Sequence, residues 1–86
     1  MNKQKLLAKL QNSGINVRYN DFVTLINAYG FNRTRGEGSH EIYRCTGIPE
    51  IVNIQNDKGN AKPYQVKQFL FLIEKYNLKL KEDENA

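Results

Sequence analysis

One histidine, His40, stands in the run Gly36-Glu37-Gly38-Ser39-His40-Glu41-Ile42-Tyr43-Arg44, with Arg33 and Arg35 just upstream. Histidine, with an unperturbed pKa of about 6.5, is the one side-chain type here that exchanges a proton near neutrality unaided. Set among arginines, it suits cleavage of an RNA phosphodiester. That reaction needs a base for the 2′-hydroxyl proton and positive charge where the phosphorane gathers negative charge. DNA lacks the internal nucleophile, so such a site acts on RNA. The competing reading is an ordinary strand residue that makes a hydrogen bond. Glu37 and Glu41 flank the imidazole, and carboxylates facing it would favour its charged form.

The basic residues around it divide into two groups. Arg33 and Arg35 alternate with Asn32 and Thr34, so both are expected on one side of a strand, with Arg44 on the neighbouring strand completing a stripe. Charges on an exposed strand also protect a sheet edge, and that reading stays open. Lys58 and Lys62 flank the start of the last helix, where free backbone N–H groups and the helix dipole make a phosphate seat. Tyr19, Tyr43 and Tyr64 could stack on bases or serve as half-buried structure. Cys45 reads as a small apolar residue rather than a nucleophile. With one Cys, one His and no acidic cluster in the body of the chain, neither a disulfide nor a metal site is expected, and no cofactor is implied.

A chain of 86 residues sets the prior at one domain. The net charge is +4, but Glu82, Asp83 and Glu84 lie at the end; residues 1–81 hold thirteen basic and six acidic residues, a net +7. A basic body favours a polyanionic partner. No apolar run approaches the roughly 20 residues of a membrane span, and no signal-peptide core is present, so no membrane partner and a cytoplasmic location are expected.

The elements that must position these residues follow from spacing. Residues 3–12 form an amphipathic helix with Leu6, Leu7 and Leu10 on one side, stopped by Asn12-Ser13-Gly14. A second helix starts near Asn20 and repeats Phe22, Leu25, Ile26 and Tyr29 at i, i+3, i+4 and i+7, with Gly30 closing it. Strands are expected at Phe31–Arg35, Ser39–Cys45 and Ile51–Gln55, with 46–50 as a connection and 56–60 as a polar loop. Pro63 opens the last helix, whose stripe is Val66, Phe69, Leu70 and Ile73, widened by Phe71 and Leu72, and Asn77 ends it. The fold class is α+β, with a three-stranded antiparallel sheet covered on one face.

In this order these residues resemble the HicA family of toxin–antitoxin toxins, the YcfA-like proteins. The likeness rests on Gly30-Phe31, Gly38-Ser39-His40, Ile42-Tyr43-Arg44, Ile48-Pro49-Glu50 and Gly59-Asn60-Ala61-Lys62-Pro63-Tyr64, and covers about residues 17–80. The resemblance implies a double-stranded-RNA-binding-like α-β-β-β-α domain at 17–80, with an N-terminal helical extension at 1–16 and a flexible acidic tail at 81–86. It also implies ribosome-independent, metal-independent cleavage of mRNA, a catalytic role for His40, and a HicB-type antitoxin partner. Glu37 stands where many members carry a basic residue, and Glu41 where many carry a second histidine. The expectation is an endoribonuclease toxin. His40 is its general acid or base; Arg33, Arg35, Arg44, Lys58 and Lys62 hold phosphate; Gly38 and Ser39 set the strand. The alternatives are a non-catalytic double-stranded-RNA-binding module and an inactive homologue that binds only its antitoxin.

Overall fold

Leucines at helical spacing need a surface to cover, and the first helix finds one. In α1 (Lys3–Asn12) Leu6 and Leu10 are buried and Leu7 is partly buried, while Lys5 and Lys9 stay exposed. The computed structural model describes residues 3–12 and 16–80, with Lys3 and Glu37 described by their backbone alone. The expected Ser13-Gly14 stop and the acidic tail lie outside the described residues. Helix α2 (Tyr19–Ala28) buries Phe22, Leu25 and Ile26, and Tyr29 follows them into the core. It begins one residue earlier than Asn20 suggests, with Arg18 as N-cap; Gly30 follows the C-cap with φ of 94°.

Strands β1 (Asn32–Glu37), β2 (His40–Cys45), β3 (Ile48–Asp57) and β4 (Asn60–Ala61) form one antiparallel sheet in chain order. Each link is two residues long: Gly38-Ser39, Thr46-Gly47 and Lys58-Gly59. Two expectations are corrected here. The segment Thr46–Glu50 is a tight turn followed by strand, and the loop at 56–60 is a hairpin that adds a fourth strand. Lys58 and Gly59 both take positive φ, 53° and 89°, as the tightest hairpin turns require. Pro49 fits inside β3 because the pairing skips there, from Tyr43↔Val52 to Cys45↔Ile48. At such a bulge its missing N–H removes no ladder bond.

The helices cover one face of the sheet. Helix α3 (Pro63–Lys75) takes Pro63 at its first turn and ends at Tyr76, with Asn77 beyond it at φ of 50°. Phe69 is the centre of the core. Phe22, Tyr29 and Phe31 each meet its ring edge-to-face, with centroids 5.8, 5.8 and 5.6 Å away. Such pairs add about 0.5–1.5 kcal/mol each beyond the area they bury. Leu72 is buried as expected, but Phe71 is 62% exposed, so the apolar stripe is narrower than its sequence suggests.

Polar contacts tie the layers together. The Glu50 carboxylate accepts from Lys75 Nζ at 2.7 Å and Tyr76 Oη at 2.5 Å, fixing the end of α3 to β3. At the other end of α3, Gln65 is 4% exposed. Its Oε1 accepts the Gln55 N–H at 2.9 Å, covering an edge group of β3. The approach to α2 joins the sheet too: Ala61 N–H donates to Val17 O at 2.8 Å and Tyr19 N–H to Gly59 O at 2.9 Å. Among the described residues no helix is long and apolar enough to cross a membrane.

Candidate functional site

His40 opens β2, directly after the turn made by Gly38, at φ of 63°, and Ser39. The parity of β2 decides which way it looks. Tyr43 is 3% exposed and faces the helices, so Glu41 and Cys45 share that side. His40, Ile42 and Arg44 therefore lie on the open face. His40 and Arg44 are exposed there and Ile42 is half-buried.

Strand β1 does not keep the simple alternation its sequence predicts. Arg33 pairs with Tyr43 and Arg35 with Ile42, so Thr34 is an extra residue in a bulge. The Thr34 hydroxyl donates to the Ile42 carbonyl at 3.2 Å. Cross-strand partners share a face, so Arg35 joins His40 on the open side and Arg33 turns to the helix side. The expected three-arginine stripe is thus split.

On the open side a depression is lined by Arg35, Gly36, His40, Ile42 and Asn53. Asn53 Oδ1 lies 3.4 Å from His40 Nδ1, at the long end of hydrogen-bond range. If Nδ1 carries the proton and donates to Asn53, Nε2 keeps its lone pair free to act as a base. Gln55, the cross-strand partner of His40, donates from Nε2 to Ser39 Oγ at 3.2 Å and so braces the turn before the histidine.

On the helix side Glu41 is the hub. Its Oε1 accepts from Tyr19 Oη in a short hydrogen bond and from Tyr43 Oη at 3.4 Å; its Oε2 takes Arg33 Nε at 2.9 Å. Burial, with Glu41 beside them, pushes both phenols up, Tyr19 far above its ordinary value. Glu41 thus faces away from the depression that Arg35 lines. The Glu37 side chain lies outside the described part of the molecule. A second depression, on this side, includes Arg33, Ser39, His40 and Asn56 and is shared by Glu41. His40 is on the rim of both.

The remaining expected residues are spread out. Arg44 sits at the far end of β2 from His40, on the same face. Lys58 is in the β3–β4 turn, and Lys62 is the N-cap of α3, which has no side-chain cap. Neither lines the depressions at His40. Tyr64 is exposed, while Tyr19 and Tyr43 are buried and so cannot stack on bases. Among the described residues no group of three His, Cys, Asp or Glu side chains gathers as a metal would need.

Three residues near the site escape a reading of the sequence alone: Asn53, Gly36 and Glu41 in its role as the partner of Arg33. Asn53 could have been found only by fixing the β2–β3 register, which places it across from Ile42. Comparison with protein-family models, with curated proteins and with solved structures returns no match to this chain.

Proposed function

We propose that this chain is a small endoribonuclease of the HicA kind: a toxin that cleaves mRNA with His40 as general acid or base and is held inactive by a HicB-type partner. The observation that carries this reading is the placement of His40. It is exposed on the open face beside Arg35, with Asn53 in reach of Nδ1. Nε2 would take the 2′-hydroxyl proton, and Arg35 would stabilise charge on the phosphorane. The family likeness in Gly38-Ser39-His40 and the lysine-proline start of α3 supports it by analogy. A double-stranded-RNA-binding-like arrangement is part of the same proposal.

A second reading has its own observation. In-line cleavage of RNA uses both a proton acceptor and a proton donor. Among the described residues that line its depression, His40 has beside it Arg35, Gly36, Ile42 and Asn53, none of them an ordinary general acid. A non-catalytic RNA-binding module would need no second group.

The test is inducible expression of wild type and His40→Ala in cells, with RNA integrity followed over time and the folding of each purified protein checked by circular dichroism. Loss of RNA cleavage and growth inhibition in a folded His40→Ala variant supports the nuclease. Full activity in that variant refutes it. Binding of RNA by wild type with no cleavage over a long incubation favours the module.

A further inference from the structure

The Arg33–Glu41 pair asks for an explanation, because stability does not supply one. Arg33 is 54% exposed at its side chain, and an ion pair so open to water contributes little to stability. The Tyr19 and Tyr43 hydroxyls already satisfy the other carboxylate oxygen. What the pair does achieve is orientation. Nε is fixed on Glu41, and Glu41 is fixed by two buried phenols, so the guanidinium plane is held from behind. Its Nη2 end lies over Gly36, where any Cβ would collide with it. The bulge at Thr34 is what carries Arg33 to this face while Arg35 goes to the other.

We infer that Arg33 is a second phosphate-binding point, on the opposite side of the β1–β2 hairpin from Arg35. Its ligand is the backbone phosphate next along an RNA strand that crosses the rim at His40. Glu41, with Tyr19 and Tyr43, acts as its positioning residue, and Gly36 is the space in which the guanidinium rests. The inference rests on the reading that this chain binds RNA. The chemistry fits: a guanidinium has five N–H donors in a rigid fork, and only Nε is taken by Glu41 in the ion pair described, leaving the Nη pair to meet phosphate oxygens. Ser39 Oγ and the Asn56 side chain border the same depression and can add neutral hydrogen bonds to phosphate or ribose. His40 lies on both rims, so a strand gripped on its two sides presents the intervening 2′-hydroxyl and phosphodiester to the imidazole.

Gly36→Ala is the sharpest probe. It adds one methyl group whose three nearest atoms are Nη2, Cζ and Nε of Arg33, a side-chain end that can swing aside, so the fold survives while the guanidinium leaves its anchored position. Binding is read with a fluorescent 2′-O-methyl oligoribonucleotide, which lacks the nucleophile and cannot be cut, so the result is independent of catalysis. Arg33→Gln and Gly36→Ala are each expected to weaken binding about tenfold, the loss of one charge-assisted contact. The double variant is expected to be no weaker than Arg33→Gln alone, because both changes remove the same contact. Glu41→Gln separates positioning from charge. It removes a negative charge from the site, so a purely electrostatic Arg33 would bind more tightly, whereas an Arg33 that depends on its anchor binds no better. Unchanged binding by Gly36→Ala, or additive losses in the double variant, overturns the inference while leaving the nuclease reading intact. No binding of the oligomer by wild type overturns both. Cleavage unaffected by His40→Ala overturns the nuclease reading alone.

Discussion

Replacing Gln65 by Leu should cost this fold about 2 kcal/mol, although the two side chains are similar in size. Gln65 is buried between the first turn of α3 and β3, and its Oε1 is the acceptor for the Gln55 N–H at 2.9 Å. Leu keeps the volume and removes the acceptor. A buried donor left without a partner costs about 1–3 kcal/mol. The gain from burying a more apolar side chain recovers part of this, so about 2 kcal/mol is the expected net loss. In a domain of this size each kcal/mol moves the melting temperature by about 4–8 °C, so Gln65→Leu should melt about 8–16 °C below wild type. Gln65→Ala should melt lower still, because a void joins the lost hydrogen bond. The assay is thermal unfolding by circular dichroism, paired with hydrogen exchange at the Gln55 amide. That amide should lose protection in Gln65→Leu more than the amides of Ile54 and Val52, which face the β2 ladder. A Gln65→Leu variant as stable as wild type, with the Gln55 amide still protected, would show that this edge of β3 does not depend on the Gln65 acceptor.

Two further predictions concern charge and backbone. Tyr19 and Tyr43 have their pKa values raised by burial and by Glu41, and Tyr76 by its hydrogen bond to Glu50. These phenols bind their protons more tightly folded than unfolded. The associated stability is therefore intact below the ordinary value of 10.0 and is lost as pH rises beyond it. Phenolate absorbance should show late-titrating tyrosines that ionise together with alkaline unfolding, and Glu41→Gln should bring part of that transition to lower pH; a titration unchanged by Glu41→Gln contradicts the assignment. Lys58 holds a left-handed conformation that asparagine adopts more readily, so Lys58→Asn should raise stability in urea by a few tenths to about 1 kcal/mol. A fall in affinity for RNA in the same variant would tie the lysine to its ligand, and unchanged affinity would remove Lys58 from the proposed interface.

The elements with a regular local period were legible from the residues alone. Phe22, Leu25, Ile26 and Tyr29 mark the buried side of α2, and Pro63 marks the start of α3, because both signals are carried by the segment itself. The features that shape the candidate site are not of that kind. Thr34 has nothing in its own neighbourhood to announce a bulge; the register with β2 imposes it, and it separates two arginines that simple alternation puts together. Pro49 lies in the expected connection at 46–50, yet an irregular pairing with β2 takes it into β3. The hub at Glu41 joins residues as far apart as Tyr19, and its direction follows from Tyr43 being inside, a fact of packing. His40 itself was found by its uniqueness, whereas its neighbour Asn53 belongs to another strand and has no local mark.

The two-residue turns have a consequence for how the chain reaches this structure. Each strand pairs with the next one along, so every step of sheet assembly closes the shortest loop a hairpin allows. Loop-closure entropy rises with length, by about 0.6 kcal/mol per doubling, so the zipping of β1 to β4 is entropically light. The expensive closures are those that bring Val17 and Tyr19 onto the β3–β4 hairpin, spanning about forty residues of chain. The sheet that carries His40 can therefore form early from local contacts, and docking of the first two helices becomes the step at which the Tyr19–Glu41 bond closes and Arg33 acquires its anchor.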